Sequence, residues 1–173
     1  MEVLTTWIFD LRWPIPSKKH PEWVRDALPS DRDSMIDLAR TVYTPIPDRF
    51  HVDSHLSSKA SDELYAEWIR NSFSGALADH IAVAEVDGQA VGYSTMKYVD
   101  DCYELCGVFF GQLGLGGVSP QYRNQGIVTD LVIHNLENLN LRQARYCFVG
   151  TQGNNLPPQR VWFKVGFKPA TMA

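Results

Sequence analysis

The order of patterns along the chain predicts a mixed α/β domain, a central mixed sheet flanked by helices. Two amphipathic helical patterns come first. A hairpin signal comes next, with Asp87-Gly88 between the β-rich runs HIAVAEV and QAVGYSTMKY. From residue 113 onward the pattern alternates strand, helix, strand, helix, which suggests a parallel pair joined by a crossover. A chain of 173 residues with 45 % hydrophobic content supports one sizeable core. Its 12 % aromatic and 21 % charged residues place it with ordered domains.

Each element has its own signal. Residues 1 to 22 are the least readable: WIFDLRW has strand composition, and Pro14, Pro16 and Pro21 break the stretch after it. EWVRDAL reads as a short strand. Ser30 with Asp33 forms a variant capping box ahead of a helix whose Met35, Ile36, Leu38, Ala39, Val42 and Tyr43 recur at helical spacing. A polar connection, DRFHVDSHLSSKA, leads to a second helix predicted to start at Ser61, with Leu64, Tyr65, Trp68, Ile69 and Phe73 on its apolar face. DDCYELCGVFFGQ is ambiguous between a hairpin end and an inserted loop. Residues 113–118 read as a buried strand, 119–125 as a turn, 126–144 as a helix and 145–151 as another buried strand. PPQRVWFKVG starts at proline and stops at Gly166, as helices prefer.

Charge and cysteine content narrow the function. A net charge of −4 argues against a protein whose task is to grip nucleic acid. Three cysteines, Cys102, Cys106 and Cys147, cannot all pair, which suits reduced thiols in a cytoplasmic chain. No second Cys/His pair accompanies Cys102-x3-Cys106 at zinc spacing, so no metal is expected there. No run of about 18 apolar residues predicts a membrane span, and the first residues lack the basic, apolar pattern of a signal peptide.

The stretch GGVSPQYRNQGIV, residues 116–128, is the one most suggestive of chemistry. Where a strand hands over to a helix, first-turn N–H groups lack intrahelical partners and carry the positive end of the helix dipole. Aimed at one point they bind phosphate. Gly126 allows close backbone approach, and Arg123 can add a charge-assisted contact. Turn chemistry alone favours plain punctuation.

VSPQYRNQGIVTDLV resembles the acetyl-CoA signature of the GNAT acetyltransferase superfamily, through Val118, Pro120, Tyr122, Arg123 and Gly126. It departs at Val128, where the family has Gly or Ala. NNLPPQRVWFKVGF is similar to the family's later run through Asn155, Gly166 and Phe167, with Pro158 in an alanine position and Trp162 in the tyrosine position. VAEVDGQAVGY and VRDALPSDRDSMIDLAR resemble its hairpin and its first strand and helix. Together these segments cover residues 23 to 168, which implies the GNAT-like acyl-CoA N-acyltransferase fold. Residues 1–22 then read as an N-terminal extension and 23–173 as the domain. The family continues past its Gly-Phe with another strand, whereas this chain stops at KPATMA, so either an edge strand is missing or the chain is cut short. A missing strand leaves an edge that favours a homodimer.

The resemblance implies acetyl-CoA as cosubstrate and direct attack of an amine on the thioester. The backbone N–H of Val118 would face the oxyanion. The amides of Arg123, Asn124, Gln125, Gly126, Ile127 and Val128 would meet the pyrophosphate, and Asn155 the pantetheine arm. Trp162 stands where the family's tyrosine protonates the thiolate; an indole is a donor only, and a core role is equally open. Residues 48 to 81 resemble the acceptor side of TDP-fucosamine acetyltransferase and related sugar-nucleotide amine acetyltransferases, through Arg49, Phe50, Tyr65, Trp68, Ile69, Asn71, Gly75 and His80. That implies a nucleotide-linked amino sugar as acceptor, with Arg49, His51, Tyr65 and Trp68 as contacts. Asp101 and Glu104 are candidate bases, with ordered water as the alternative. His51-x3-His55 has helical ligand spacing but lies in a loop pattern, so metal is not expected there either, and His134 reads as a surface or packing residue. A catalytically silent acyl-CoA-binding domain, and acetylation of a protein or other small amine, are the competing functions.

Overall fold

Asp87 and Gly88, both at positive φ (51° and 76°), turn the chain between β3 (His80–Val86) and β4 (Gln89–Val99). In a computed structural model, which describes residues 3–43, 50, 55, 57–100 and 103–172, this hairpin sits inside one seven-stranded sheet. The other strands are β1 (Leu4–Asp10), β2 (Val24–Asp26), β5 (Phe110–Val118), β6 (Tyr146–Gln152) and β7 (Lys168–Met172). The order across the sheet is β2-β3-β4-β5-β6-β1-β7, and β5–β6 is its parallel pair. The helices are α1 (Arg32–Val42), α2 (Ser58–Phe73), α3 (Tyr103–Cys106), α4 (Ile127–Leu141) and α5 (Leu156–Val165).

Side-chain alternation on the strands assigns the layers. On β3, Val83 packs with Met35, Ala39 and Ile69 of α1 and α2. Its neighbours Ala82 and Ala84 pack instead with Ile127 and Leu131 of α4. The sheet is therefore covered by α1 and α2 on one face and by α4 and α5 on the other. The largest core cluster, holding Phe9, Met96, Leu113, Leu136, Cys147, Trp162 and Phe167, lies on the second face.

Several boundaries differ from the sequence reading. The strand read from EWVRDAL, β2, is only Val24–Asp26, because Pro21–Trp23 form a 3₁₀ turn. α1 starts at Arg32 with Asp31 before it, not at Ser30; the Asp31 carboxylate accepts from Leu28 N–H at 2.7 Å. α2 starts at Ser58, capped by Ser57 accepting from Ala60 N–H, while Ser61 is buried and donates to the Phe50 carbonyl.

The two ends of the chain differ more. Within residues 1–22, expected as an N-terminal extension, Leu4–Asp10 form an inner strand, antiparallel to β6 along its whole length and to β7 on the other side. The expected missing strand is not missing. β7 comes after Phe167, and β1 lies between it and β6. β1 escapes a local reading because its partners lie some 146 residues downstream, as in the Thr5 to Thr151 hydrogen bond.

Arg25 locks β2 to the rest. Its guanidinium donates to both Asp31 oxygens, at 2.7 and 3.0 Å, and to Glu85. The Arg25 hydrogen bonds hold the Asp31 carboxyl below the usual carboxylate range. A depressed folded-state pKa adds stability above the unfolded value, and this is lost as pH falls through the folded value. Arg25→Met is therefore expected to cost about 1–3 kcal/mol near neutral pH. The difference from the parent should shrink as pH falls below 3.8, the ordinary carboxylate value, read by urea unfolding at neutral and at acid pH.

Candidate functional site

The site is built where β5 and β6 part. Phe110–Leu113 pair in parallel with Tyr146–Val149, and pairing stops there, although β5 runs on to Val118 and β6 to Gln152. The sequence of β5 explains the parting. Past Leu113 it reads Gly-Leu-Gly-Gly, and its register against β4 shifts between Ser94 and Met96. At that bulge the Thr95 hydroxyl donates to the Leu115 carbonyl and accepts from the Leu115 N–H at 2.8 Å. Gly117 is required by packing, since a Cβ there would lie 2.7 Å from Val42 of α1.

At the end of β5 stands the turn singled out in the sequence. Pro120–Tyr122 form a 3₁₀ turn, Asn124 has φ 63°, and Gly126 has φ 98° as the residue before α4. The first ladder bond of α4 runs from Asp130 N–H to the Gly126 carbonyl, at 3.1 Å. Gly126 has no side chain to cap the turn, so the amides of Ile127, Val128 and Thr129 keep their donors for a ligand. That is the arrangement that binds anions.

Other predicted residues fall into place differently. Arg123 does not point its charge outward alone: Nε donates to the Val118 carbonyl at 3.1 Å and Nη2 to the Val42 carbonyl at 2.9 Å. It clamps the end of β5 to the end of α1 and so shapes the turn. Val128 is half-buried and packs against the cluster of Val24, Ala82 and Leu131, which directs its bulk toward the core. Asn155 stands at the start of α5, on the β6 wall of the opening, its Nδ2 donating to Thr151 Oγ1 at 3.0 Å.

Trp162 lies in the core at 6 % exposure, its ring 6.2 Å from that of Trp7. Glu104 precedes Phe110, the end of β5 opposite Val118, roughly 25 Å along the strand. Arg49, His51 and Asp101 lie outside the described residues. Tyr65 is buried and Trp68 half-buried, in edge contact at 5.3 Å. The Cys147 thiol is fully buried, which pushes its pKa up and makes it a core group rather than a nucleophile.

Two residues missed by sequence reasoning join the site. Tyr43 stacks on Tyr65 at 3.9 Å, and its hydroxyl donates to the Gly116 carbonyl of β5 at 3.1 Å while accepting from Tyr93 at 3.3 Å. Burial, with Tyr43 beside it, pushes the Tyr93 phenol well up, so Tyr93 stays neutral and donates. Lys19 is the second. The buried Asp130 carboxylate accepts the N–H groups of Lys19 and His20, at 2.8 and 2.9 Å, and so pins that segment to the first turn of α4. The Lys19 ammonium then lies 3.4 Å from the Gln125 carbonyl, a cation beside the turn. Only a long-range contact reveals it; residue spacing carries no such signal.

The sequence and the fold have known relatives. Residues 34–167 match the model described as Acetyltransferase (GNAT) family. The spore coat polysaccharide biosynthesis protein SpsD of Bacillus subtilis (strain 168) is 30 % identical over 140 residues, 80 % of this chain and 44 % of SpsD. The chain thus spans less than half of that relative. A GNAT acetyltransferase from Brucella melitensis, solved with acetyl-CoA, matches with TM-score 0.59 at 19 % identity over 86 % of both chains. A putative GNAT acetyltransferase from Novosphingobium aromaticivorans matches with TM-score 0.64 at 14 % identity, over 99 % of this chain and 61 % of its own. Among the described residues no helix is long and apolar enough to cross a membrane. On the match of residues 34–167 to the family model, more than three quarters of its length, the chain belongs to the GNAT acetyltransferase family.

Proposed function

We propose that this chain transfers the acetyl group of acetyl-CoA to an amine of a small molecule, and that the acceptor is a nucleotide-linked amino sugar. The observation that carries the first part is the uncapped turn at Gly126, set at the end of a strand that has parted from its parallel neighbour. Free amides of the α4 first turn and the Lys19 ammonium supply donors and positive charge for the pyrophosphate. Asn155 lines the opposite wall for the pantetheine arm. The name of SpsD, a polysaccharide biosynthesis protein, supports a sugar acceptor.

In this reaction an amide C–N bond forms, the C–S bond breaks, the amine loses a proton and the thiolate gains one. The backbone N–H of Val118 is our choice of donor to the carbonyl oxygen. Trp162 is too deeply buried, and its indole too weak an acid, to protonate a thiolate. We assign that place to Tyr43, whose phenol lies at β5 and is held by Tyr93 and Gly116. Tyr43→Phe should lower kcat by about 10²-fold, with the Kd for acetyl-CoA unchanged. A fall in kcat of less than threefold removes Tyr43 from the reaction.

A second reading, a silent acyl-CoA-binding domain, is favoured by the core position of Trp162. Calorimetry with acetyl-CoA and thiol release over a panel of amino-sugar nucleotides decide the matter. Failure to bind acetyl-CoA overturns both readings, binding without turnover leaves the silent one, and turnover with a non-sugar amine alone overturns the sugar acceptor.

A further inference from the structure

Away from the turn, three side chains from three elements meet at one point. Asp26 ends β2, His80 begins β3 and His134 lies midway along α4. Asp26 Oδ1 is 2.9 Å from His80 Nε2 and 2.7 Å from His134 Nε2. The three donor atoms all lie within 4.8 Å of one another, and among the described residues no other such group of three occurs. The histidine side chains are only 10 % and 19 % exposed, whereas that of Asp26 is 66 % exposed and leaves one side open to water.

We propose that Asp26, His80 and His134 form a site for a divalent, zinc-type metal ion that ties the edge strand β2 to α4. The hydrogen-bond pattern around His80 points to it. Asn135, fully buried, donates its Nδ2 to Ser94 Oγ at 2.9 Å, so its Oδ1 is the atom facing His80 Nδ1 at 3.0 Å. Nδ1 therefore carries the proton, and the lone pair of a neutral imidazole at Nε2 faces the Asp26 carboxylate. Two acceptors 2.9 Å apart need a positive centre between them, either a second proton or a metal ion. The Asn135 contact is also the outer support that metal-ligating histidines use, an N–H given to a carbonyl oxygen.

The distances suit an ion. Zinc lies about 2.0–2.1 Å from histidine nitrogen and carboxylate oxygen, which separates ligands by roughly 3.3 Å in a tetrahedron. The present separations to Asp26 need to open by about half an ångström, and water can fill the fourth position. Two imidazoles and one carboxylate suit zinc, cobalt and nickel better than magnesium or calcium.

One neighbour works against capture. The Lys18 ammonium lies 3.3 Å from His134 Nδ1 and is paired with Glu137. As a donor to Nδ1, it holds the His134 proton on Nε2, where the metal must bind. Capture moves that proton to Nδ1, and Lys18 keeps Glu137 alone. Linear spacing cannot show this site, because His134 and Asp26 are 108 residues apart. His134 lies eight residues, about 12 Å, along α4 from Gly126. The ion is therefore a clamp on the fold rather than a participant at the acetyl site.

The test is calorimetry of the chelator-treated chain with Zn²⁺ alone, with visible absorption of the Co²⁺ form as a second readout. One ion per chain is expected. Asp26→Asn and His134→Gln should each weaken Zn²⁺ by more than about tenfold, with far-ultraviolet dichroism and acetyl-CoA affinity unchanged. Lys18→Met should tighten it. Absence of saturable uptake overturns the proposal. So does uptake that persists undiminished in Asp26→Asn and His134→Gln, or that weakens in Lys18→Met.

Discussion

Gly126→Val is expected to weaken acetyl-CoA binding by about 10- to 100-fold. Gly126 holds φ at 98°, a conformation that a β-branched residue adopts only at a cost of about 1–3 kcal/mol. Space is not the obstacle, because a Cβ there meets nothing closer than Lys19 Cδ at 3.5 Å. The backbone must therefore either stay strained or rotate. Rotation swings the amides of Ile127 and Val128 away from their common aim and shifts Lys19, whose ammonium rests on the Gln125 carbonyl. Calorimetry reads the loss directly, and urea unfolding separates it from a general loss of stability. A valine variant that loses stability but keeps its affinity shows that the turn is punctuation and not the pyrophosphate site.

That turn was legible in the sequence because its signals are local. A proline opening a 3₁₀ turn, a glycine at the helix start and an apolar period after it lie within a dozen residues. The Asp87-Gly88 hairpin and the Gly166 stop, at φ 112°, were legible for the same reason. What escaped is held by contacts between distant residues. β1 is followed by a proline-rich stretch and has no local partner, so its place between β6 and β7 depends on chain more than a hundred residues away. Lys19 reaches the site only because Asp130 is buried and accepts two N–H groups from the segment passing over it. Tyr43 looked like the end of an apolar stripe, yet its phenol crosses to β5. Val128, the departure from the family pattern, packs against residues of β2 and β3, where helix position decides which side chain turns inward.

The largest effect on stability is expected at Trp162, and it separates packing from chemistry. Trp162→Ala should cost about 3–5 kcal/mol, since it empties a large volume from a core that Trp7, Phe9 and Phe167 cannot refill. Loss of activity in that variant decides nothing, because the walls of the opening share the cluster through Leu113 and Val149. Trp162→Phe is the informative change. It keeps an aromatic ring beside Trp7, loses the indole N–H, and should cost only about 1–2 kcal/mol. If Trp162 is packing, kcat for acetyl transfer by the folded variant stays within threefold of the parent at every pH. If the indole N–H orients the departing sulfur, kcat falls by about tenfold or more while acetyl-CoA affinity holds. The burial of Trp162 leads us to expect the first result. That leaves proton delivery to a group on the β5 side of the opening, where the hydroxyl of Tyr43 already lies.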